Sequence, residues 1–339
     1  MKAVILAGGL GTRLRAVTGE HPKPLAPLLG RPVMEHIVEL LRDQGFSEIC
    51  AALHYRAGEI MAHFGDGRRF GVHMEYRIET ANLGTAGSVK NCRDFFGDED
   101  FLIISGDAAC DFRLDRLMEL HREKQAAVTI ALSRESEPLR YGLAVTDGDG
   151  RIRSFIEKPD WPRVVTDLVN TGIYVLSPQV LARVPEGGGD FGRDLFPLLL
   201  KEGVPLYGQV MEGYWRDIGT PLDYYRCCAD ALEGKLKLTP GERFRQPAQE
   251  LAADSEEDGC VTLCTCQNRA RLMGTLSELM LELGADYDDG IRLKGPHYEL
   301  HISPSAVSSA VRVAVKSDDA EYARALCLAA GDVAKKLGM

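Results

Sequence analysis

The chain has 339 residues, 45% of them apolar and 27% charged, with a formal net charge of −10. That length supports a large core and two domains, and the composition is that of a folded globular protein. The acidic balance excludes a broad, non-specific nucleic-acid surface but leaves room for small anionic ligands held by a few focused cations.

In chain order, KAVILA (2–7) is a short continuous apolar run, the pattern of a parallel strand covered on both faces. It is too quickly broken by glycine for a secretory signal, and no later run approaches a membrane span. LAGGLGTRLRAVTGEHPKP (6–24) follows. Gly8, Gly9 and Gly11 remove side chains where a chain turns tightly and presents backbone N–H groups to an anion. Thr12 adds a hydroxyl, Arg13 a fixed fork of donors, and Lys23 a point charge held between Pro22 and Pro24. The stretch is no dinucleotide fingerprint, because Leu14 stands where the third glycine belongs, and it lacks the G-K-[ST] of a P-loop.

RPVMEHIVELLRDQG (31–45) has helical spacing at Val33, Met34, Ile37, Val38 and Leu41, with Gly45 as the stop. EICAAL (48–53) returns to strand. NLGTAGSVK (82–90) is a small-residue turn into a helix. There Gly84, Ala86 and Gly87 leave room for a flat base and Glu79 is a candidate acceptor for base N–H groups; a closely packed helix start explains the same residues nearly as well. FLIISGD (101–107) ends in Asp107, a carboxylate at a strand end, where Mg²⁺ is readily held. Asp111 is either a second acidic group or a helix cap. AAVTIAL (126–132) and GIYVL (172–176) continue the strands, and 147–150 (DGDG) is a tight turn. Glu157, Lys158 and Asn170 lie at strand ends as candidate hydroxyl and phosphate contacts. GYWRDIG (213–219) offers Asp217 as a second metal carboxylate, although sequence spacing does not bring 107 and 217 together. Trp161 and Trp215 read as packing residues.

A helix then runs to Gly234, and apolar periodicity fades over 235–259, the expected linker. The last segment patterns as a smaller α+β domain: a helix over 270–284, strands at YELHIS (298–303) and VRVAVK (311–316), and a final amphipathic helix with Asp318 near its start. Nine cysteines, an odd number, speak against a paired disulfide framework. Cys260, Cys264 and Cys266 have poor spacing for zinc, with His297 and His301 only distant ligands, so strand thiols are the favoured reading. A reducing cytoplasm is the expected compartment. The predicted fold is α/β, a Rossmann-like, mostly parallel sheet over 1–234, with a second, smaller α+β domain over 260–339.

Together the ordered stretches LAGGLGTRLR…PKP, LGTAGSVK, ISGDAACDF, YGLAV, FIEKP, VNTGIYVL, RDLFPLLL and GYWRDIGTPLDYY resemble the sugar-1-phosphate nucleotidyltransferases over roughly residues 1–233. Within that family the chain is most similar to the mannose-1-phosphate guanylyltransferase half of proteins fused to a phosphomannomutase-like region. The resemblance implies NTP and a sugar 1-phosphate as substrates, GTP and mannose 1-phosphate foremost, giving NDP-sugar and pyrophosphate with Mg²⁺ as cofactor. It implies that Gly8, Gly9, Gly11 and Thr12 wrap the nucleotide and that Arg13 and Lys23 hold the triphosphate. Glu79 and Gly84 then meet the base, Asp107 and Asp217 hold the metal, Gly142, Glu157 and Asn170 contact the sugar, and Lys158 grips its phosphate. No nucleic-acid or membrane partner is implied. The tail resembles the last domain of phosphohexomutases, but ISPSAVSS lacks the arginine of that family's phosphate loop, so a non-catalytic role, such as homodimer assembly, is expected. Glucose-, heptose- or amino-sugar-1-phosphate transfer from UTP or dTTP is the alternative within enzymes, and a non-catalytic nucleotide-sugar sensor the alternative outside them.

Overall fold

The computed structural model describes residues 1–232, 234–239 and 259–265, a few single positions between 273 and 286, and then 290–295, 297–304 and 310–337. Two compact units emerge: Met1–Leu10, Pro22–Leu25 and Pro32–Asp217 form one, and Gly11–His21, Ala26–Arg31 and the chain from Ile218 onward form the other. Helix Pro221–Leu232 and the segment around Arg13 therefore go with the later part of the chain.

The first unit is built on a nine-stranded sheet. Lys2–Leu6 lies between Glu48–Leu53 and Phe101–Ser105, parallel to both, and His73–Ile78 adds a further parallel strand beyond Glu48–Leu53. The first three are the continuous apolar runs of the sequence, with Val4, Ile5, Ile49, Cys50, Ile103 and Ile104 wholly buried, whereas His73–Ile78 (HMEYRI) is mixed in polarity and partly exposed. On the other side of Phe101–Ser105 the sheet is mixed. Leu168–Leu176 runs antiparallel to it and to Val128–Arg134, and Leu206–Val210 runs parallel to the latter. Gly142–Thr146 and Ile152–Glu157 form an antiparallel pair joined through the Asp147–Gly150 turn, where Gly150 is left-handed. Aromatic rings Phe155, Tyr174, Phe191 and Phe196 pack together beneath this half.

Chain order reverses at Lys2–Leu6: the next strands go to one side and Phe101–Ser105 comes back on the other. In an open α/β sheet, ligands bind at the carboxyl ends of strands beside such a switch point. Leu6 leads into the glycine stretch and Ser105 into Gly106–Asp107. Gly106 donates its N–H to the Leu6 carbonyl at 2.8 Å. A Cβ at Gly106 would stand 3.0 Å from Ile5 and 3.1 Å from Ala7, so glycine lets these two strand ends close up without displacing their side chains.

Helix Val33–Asp43 follows its apolar spacing and ends at Gly45, left-handed as a helix stop requires. Asp111 does not cap a helix. Its Oδ1 accepts the Tyr214 N–H at 2.7 Å and its own N–H goes to the Tyr214 carbonyl, which fixes the turn before Trp215–Asp217.

In the second unit a four-stranded antiparallel sheet takes the order Gly259–Thr265, Ala310–Ser317, Tyr298–Pro304, Ile291–Lys294. Helix Ala320–Leu337 contributes Ala323 and Cys327 to a core with Ile302, Val313 and Val315. The carboxylate that caps this helix is Asp319, which accepts the N–H groups of Glu321 and Tyr322, one residue after the Asp318 expected at the start. Positions 240–258, most of the helix expected over 270–284, Cys266 and 305–309 of ISPSAVSS lie outside the described residues.

Candidate active site

A cleft of about 340 Å³ opens at the switch point, lined among others by Gly8, Gly9, His54, Glu79, Gly84 and Asp107. Gly8 lies against strand Glu48–Leu53, where a Cβ would come within 3.3 Å of His54. Gly9 faces open space. Gly11, Thr12 and Arg13 belong to the second unit and are not among the lining residues. There Gly11 is left-handed, Thr12 and Arg13 ride on an exposed 3₁₀ turn, and Leu14 anchors that turn as a fully buried side chain.

Asp107 and Asp217 do meet. Strand Trp215–Asp217 pairs antiparallel with Ala108–Cys110, and the register sets Asp217 opposite Ala108, beside Asp107. Lys23, on a 3₁₀ turn between its two prolines, points its ammonium at both: 2.6 Å to Asp107 Oδ2 and 3.3 Å to Asp217 Oδ1. Ser105 donates its hydroxyl to Asp107 Oδ1 at 2.6 Å. Burial works against charge on Lys23, but the two carboxylates outweigh it and raise its pKa above the ordinary lysine value. Burial likewise pushes the Asp107 carboxyl up, and the Lys23 ammonium with the Lys23 and Ser105 hydrogen bonds overcomes it, holding it below the usual carboxylate range. Two hard carboxylates converging on one point suit Mg²⁺, which completes its shell with water and substrate phosphate. No third His, Cys, Asp or Glu joins them among the described residues.

Glu79 is 7% exposed, and its Oε1 is buried without a hydrogen-bond partner among the described residues. Its backbone is fixed instead: the N–H donates to Leu53 and the carbonyl faces His54 Nδ1 at 2.9 Å. Gly84 lines the cleft, yet its missing side chain does not make room for a ligand. A Cβ there would stand 2.7 Å from the Gly189 carbonyl oxygen, and one at Gly87 would stand 2.9 Å from the Gly188 Cα. The helix start Gly84–Lys90 is therefore pressed, backbone on backbone, against Gly188–Gly189. The Ala86 N–H donates to Gly189 O at 2.8 Å, and Gly189 N–H to Leu83 O at 2.8 Å.

Farther along the sheet, Glu157 is half-buried. Burial raises its pKa above the usual glutamate value, and Lys158 offsets this only in part. Gly142 and Gly192 give it space: a Cβ at Gly142 would meet Phe155 at 2.5 Å and Glu157 Oε2 at 2.7 Å. Lys158 is exposed and holds a left-handed backbone at φ +40°, with its N–H on the Tyr141 carbonyl. Asn170 sits where the pairing with Val128–Arg134 loses register, at a bulge completed by left-handed Gly172. Its amide serves that bulge at both ends, accepting the Gly172 N–H and donating to the Tyr174 hydroxyl at 2.9 Å. Trp215 packs edge-on against Tyr141, as a packing residue should, but its buried indole N–H has no acceptor among the described residues, and Trp161, expected to pack as well, is exposed.

Sequence reasoning missed His54 and Asp190. His54 ends an apolar strand by the same rule that singles out Asp107. Asp190 follows three consecutive glycines, and its Oδ1 accepts both the N–H and the hydroxyl of Thr85.

The nucleotidyl transferase family model matches residues 2–234. The chain belongs to the nucleotidyl transferase family. A UTP–glucose-1-phosphate uridylyltransferase of Synechocystis is 41% identical over 251 residues, 70% of this chain and 65% of the relative. A mannose-1-phosphate guanylyltransferase of Mycobacterium tuberculosis is 36% identical over 68% of this chain and 65% of its own. The match thus spans just under two thirds of each of these relatives. Among solved structures, HddC from Yersinia pseudotuberculosis complexed with GMP-PN is 32% identical with a TM-score of 0.59, covering 68% of this chain and 99% of HddC. A putative glucose-1-phosphate thymidylyltransferase from Bacillus anthracis has a TM-score of 0.64 at 27% identity, over 72% of this chain and 99% of its own. The chain therefore shares its fold with proteins whose names differ in base and sugar.

Proposed function

We propose that this chain transfers GMP from GTP to mannose 1-phosphate, giving GDP-mannose and pyrophosphate. The observation that supports the base is Glu79. A buried carboxylate oxygen without a partner is costly, and a ligand with matching donors removes that cost. Guanine presents two neighbouring donors, N1–H and the N2 amino group, to one carboxylate. Uracil and thymine present a single N–H between two carbonyl oxygens, which a carboxylate repels. HddC, complexed with GMP-PN, and the mannose-1-phosphate guanylyltransferases among the relatives support the same reading.

The chemistry is in-line displacement. An oxygen of the sugar phosphate, already ionised at neutral pH, forms a bond to the α-phosphorus as the α–β anhydride bond breaks and pyrophosphate leaves. No protein nucleophile is needed; alignment and charge compensation are. Gly8 and Gly9 offer backbone to the nucleotide, Lys23 compensates phosphate charge, and Lys158 takes the sugar phosphate. The left-handed backbone of Lys158 costs about 1–2 kcal/mol, which is consistent with a side chain aimed for a task. Asp107 and Asp217 would hold Mg²⁺, which when bound supplies further neutralisation of the phosphate oxygens.

A matrix of GTP, UTP, dTTP and ATP against mannose, glucose and glucosamine 1-phosphates, read by pyrophosphate release, tests this. GTP with mannose 1-phosphate should give the highest kcat/KM. UTP with glucose 1-phosphate is the second reading, favoured by the Synechocystis relative, and its dominance would overturn the proposal.

A further inference from the structure

The Lys23 ammonium occupies the point on which the Asp107 and Asp217 carboxylates converge, 2.6 and 3.3 Å away, with a tenth of its side chain exposed. Without a cation there, two carboxylates held together by the Trp215–Asp217 and Ala108–Cys110 pairing would face each other unscreened. A buried ammonium stripped of both partners would be equally costly. The ammonium already holds one oxygen of each carboxylate, so a divalent cation drawn to the same pair meets a like charge at close range.

We propose that Lys23 is the resident counter-cation of the Asp107–Asp217 pair, and that a divalent ion enters it as nucleotide phosphate draws the ammonium away. The proposal rests on assigning the metal to these two carboxylates. Pro22 and Pro24 and the 3₁₀ turn at Lys23–Leu25 fix the base of the side chain, so the exchange is a swing of its flexible stem rather than a movement of backbone. The phosphate chain of an NTP is the anion that gives the displaced ammonium a new partner. Metal and nucleotide then favour each other's binding by the same factor, as linkage requires. The site stays preformed when empty, and the free protein resists loading with metal alone.

Mn²⁺ titration of the full chain without nucleotide, followed by electron paramagnetic resonance, tests the exchange in wild type and Lys23→Met. The variant should bind Mn²⁺ at least ten-fold more tightly than wild type; equal or weaker binding overturns the proposal. Melting temperature keeps the test alive if the variant folds poorly. For wild type, Mg²⁺ alone should shift melting little, and Mg²⁺ with GTP should shift it more than the two separate shifts combined. A full shift from Mg²⁺ alone would count against the exchange. Asp107→Asn in the Lys23→Met background distinguishes the two readings: if tight Mn²⁺ binding survives it, the metal assignment itself is wrong. The arm without nucleotide does not depend on which base the protein prefers.

Discussion

Replacing Glu79 by glutamine changes one atom of the side chain and should change the base that the cleft accepts. Glu79 is 7% exposed, its Oε1 has no hydrogen-bond partner among the described residues, and on the proposed reading the substrate base satisfies it. A guanine ring would give the carboxylate two charge-assisted hydrogen bonds, each contributing about 1.5–3 kcal/mol. Glutamine keeps one acceptor oxygen and turns the other into a donor facing a guanine donor. The loss of one such bond corresponds to roughly 10- to 150-fold in kcat/KM for GTP, at 1.4 kcal/mol per factor of ten. The new amide N–H suits a pyrimidine carbonyl, so the UTP rate should hold or rise. Initial pyrophosphate release at limiting GTP and UTP, with saturating sugar 1-phosphate, gives the ratio directly. A GTP-to-UTP ratio that stays within two-fold of wild type would refute the role of this carboxylate in base choice.

Other substitutions separate the remaining roles. Lys158→Ala should raise KM for the sugar 1-phosphate about ten-fold or more, the loss of one charge-assisted phosphate contact, with KM for the nucleotide little changed; steady-state kinetics in both substrates reads this. Glu157→Gln should raise the melting temperature near pH 8. Burial raises the pKa of this carboxyl in the fold, so its ionisation opposes folding as pH rises past the ordinary glutamate value; the gain should vanish near pH 4, where both variants are neutral there. Gly188→Ala should cost about 2–4 kcal/mol in denaturant unfolding, because φ is +91° and a Cβ would run into the Leu83 carbonyl.

Three of the four strands in the parallel half were legible because buried strands write themselves as apolar runs, and the rule for strand ends then pointed to Gly8, Gly9 and Asp107; the fourth, His73–Ile78, carries no such run and was not read. The direction of the other strands was not legible, since an apolar run such as GIYVL reads alike whether it runs parallel or antiparallel. The meeting of Asp107 and Asp217 depends on a strand register between segments more than 100 residues apart, which local spacing does not encode. Gly84 and Gly87 were visible as small residues, but what they make room for was not: it is the Gly188–Gly189 backbone, far along the chain. That a bulge engages the Asn170 amide at both ends was not legible either, because the bulge is a feature of strand pairing.

That glycine contact has a mechanical consequence. Helix Gly84–Lys90 continues the wall that carries Glu79, and Gly188–Gly189 leads through Asp190 into the single wide helical turn Phe191–Leu195, where Gly192 abuts Glu157. Where side chains separate two walls, a rotamer change can absorb a small shift; here main chain meets main chain, with no such cushion. The wall that carries Glu79 and the one that abuts Glu157 thus stand at a spacing set by peptide geometry. On the reading that Glu79 meets the base and Glu157 the sugar, a substitution in one wall should leave the other in place, so base and sugar preference can be altered independently as long as the glycines stay.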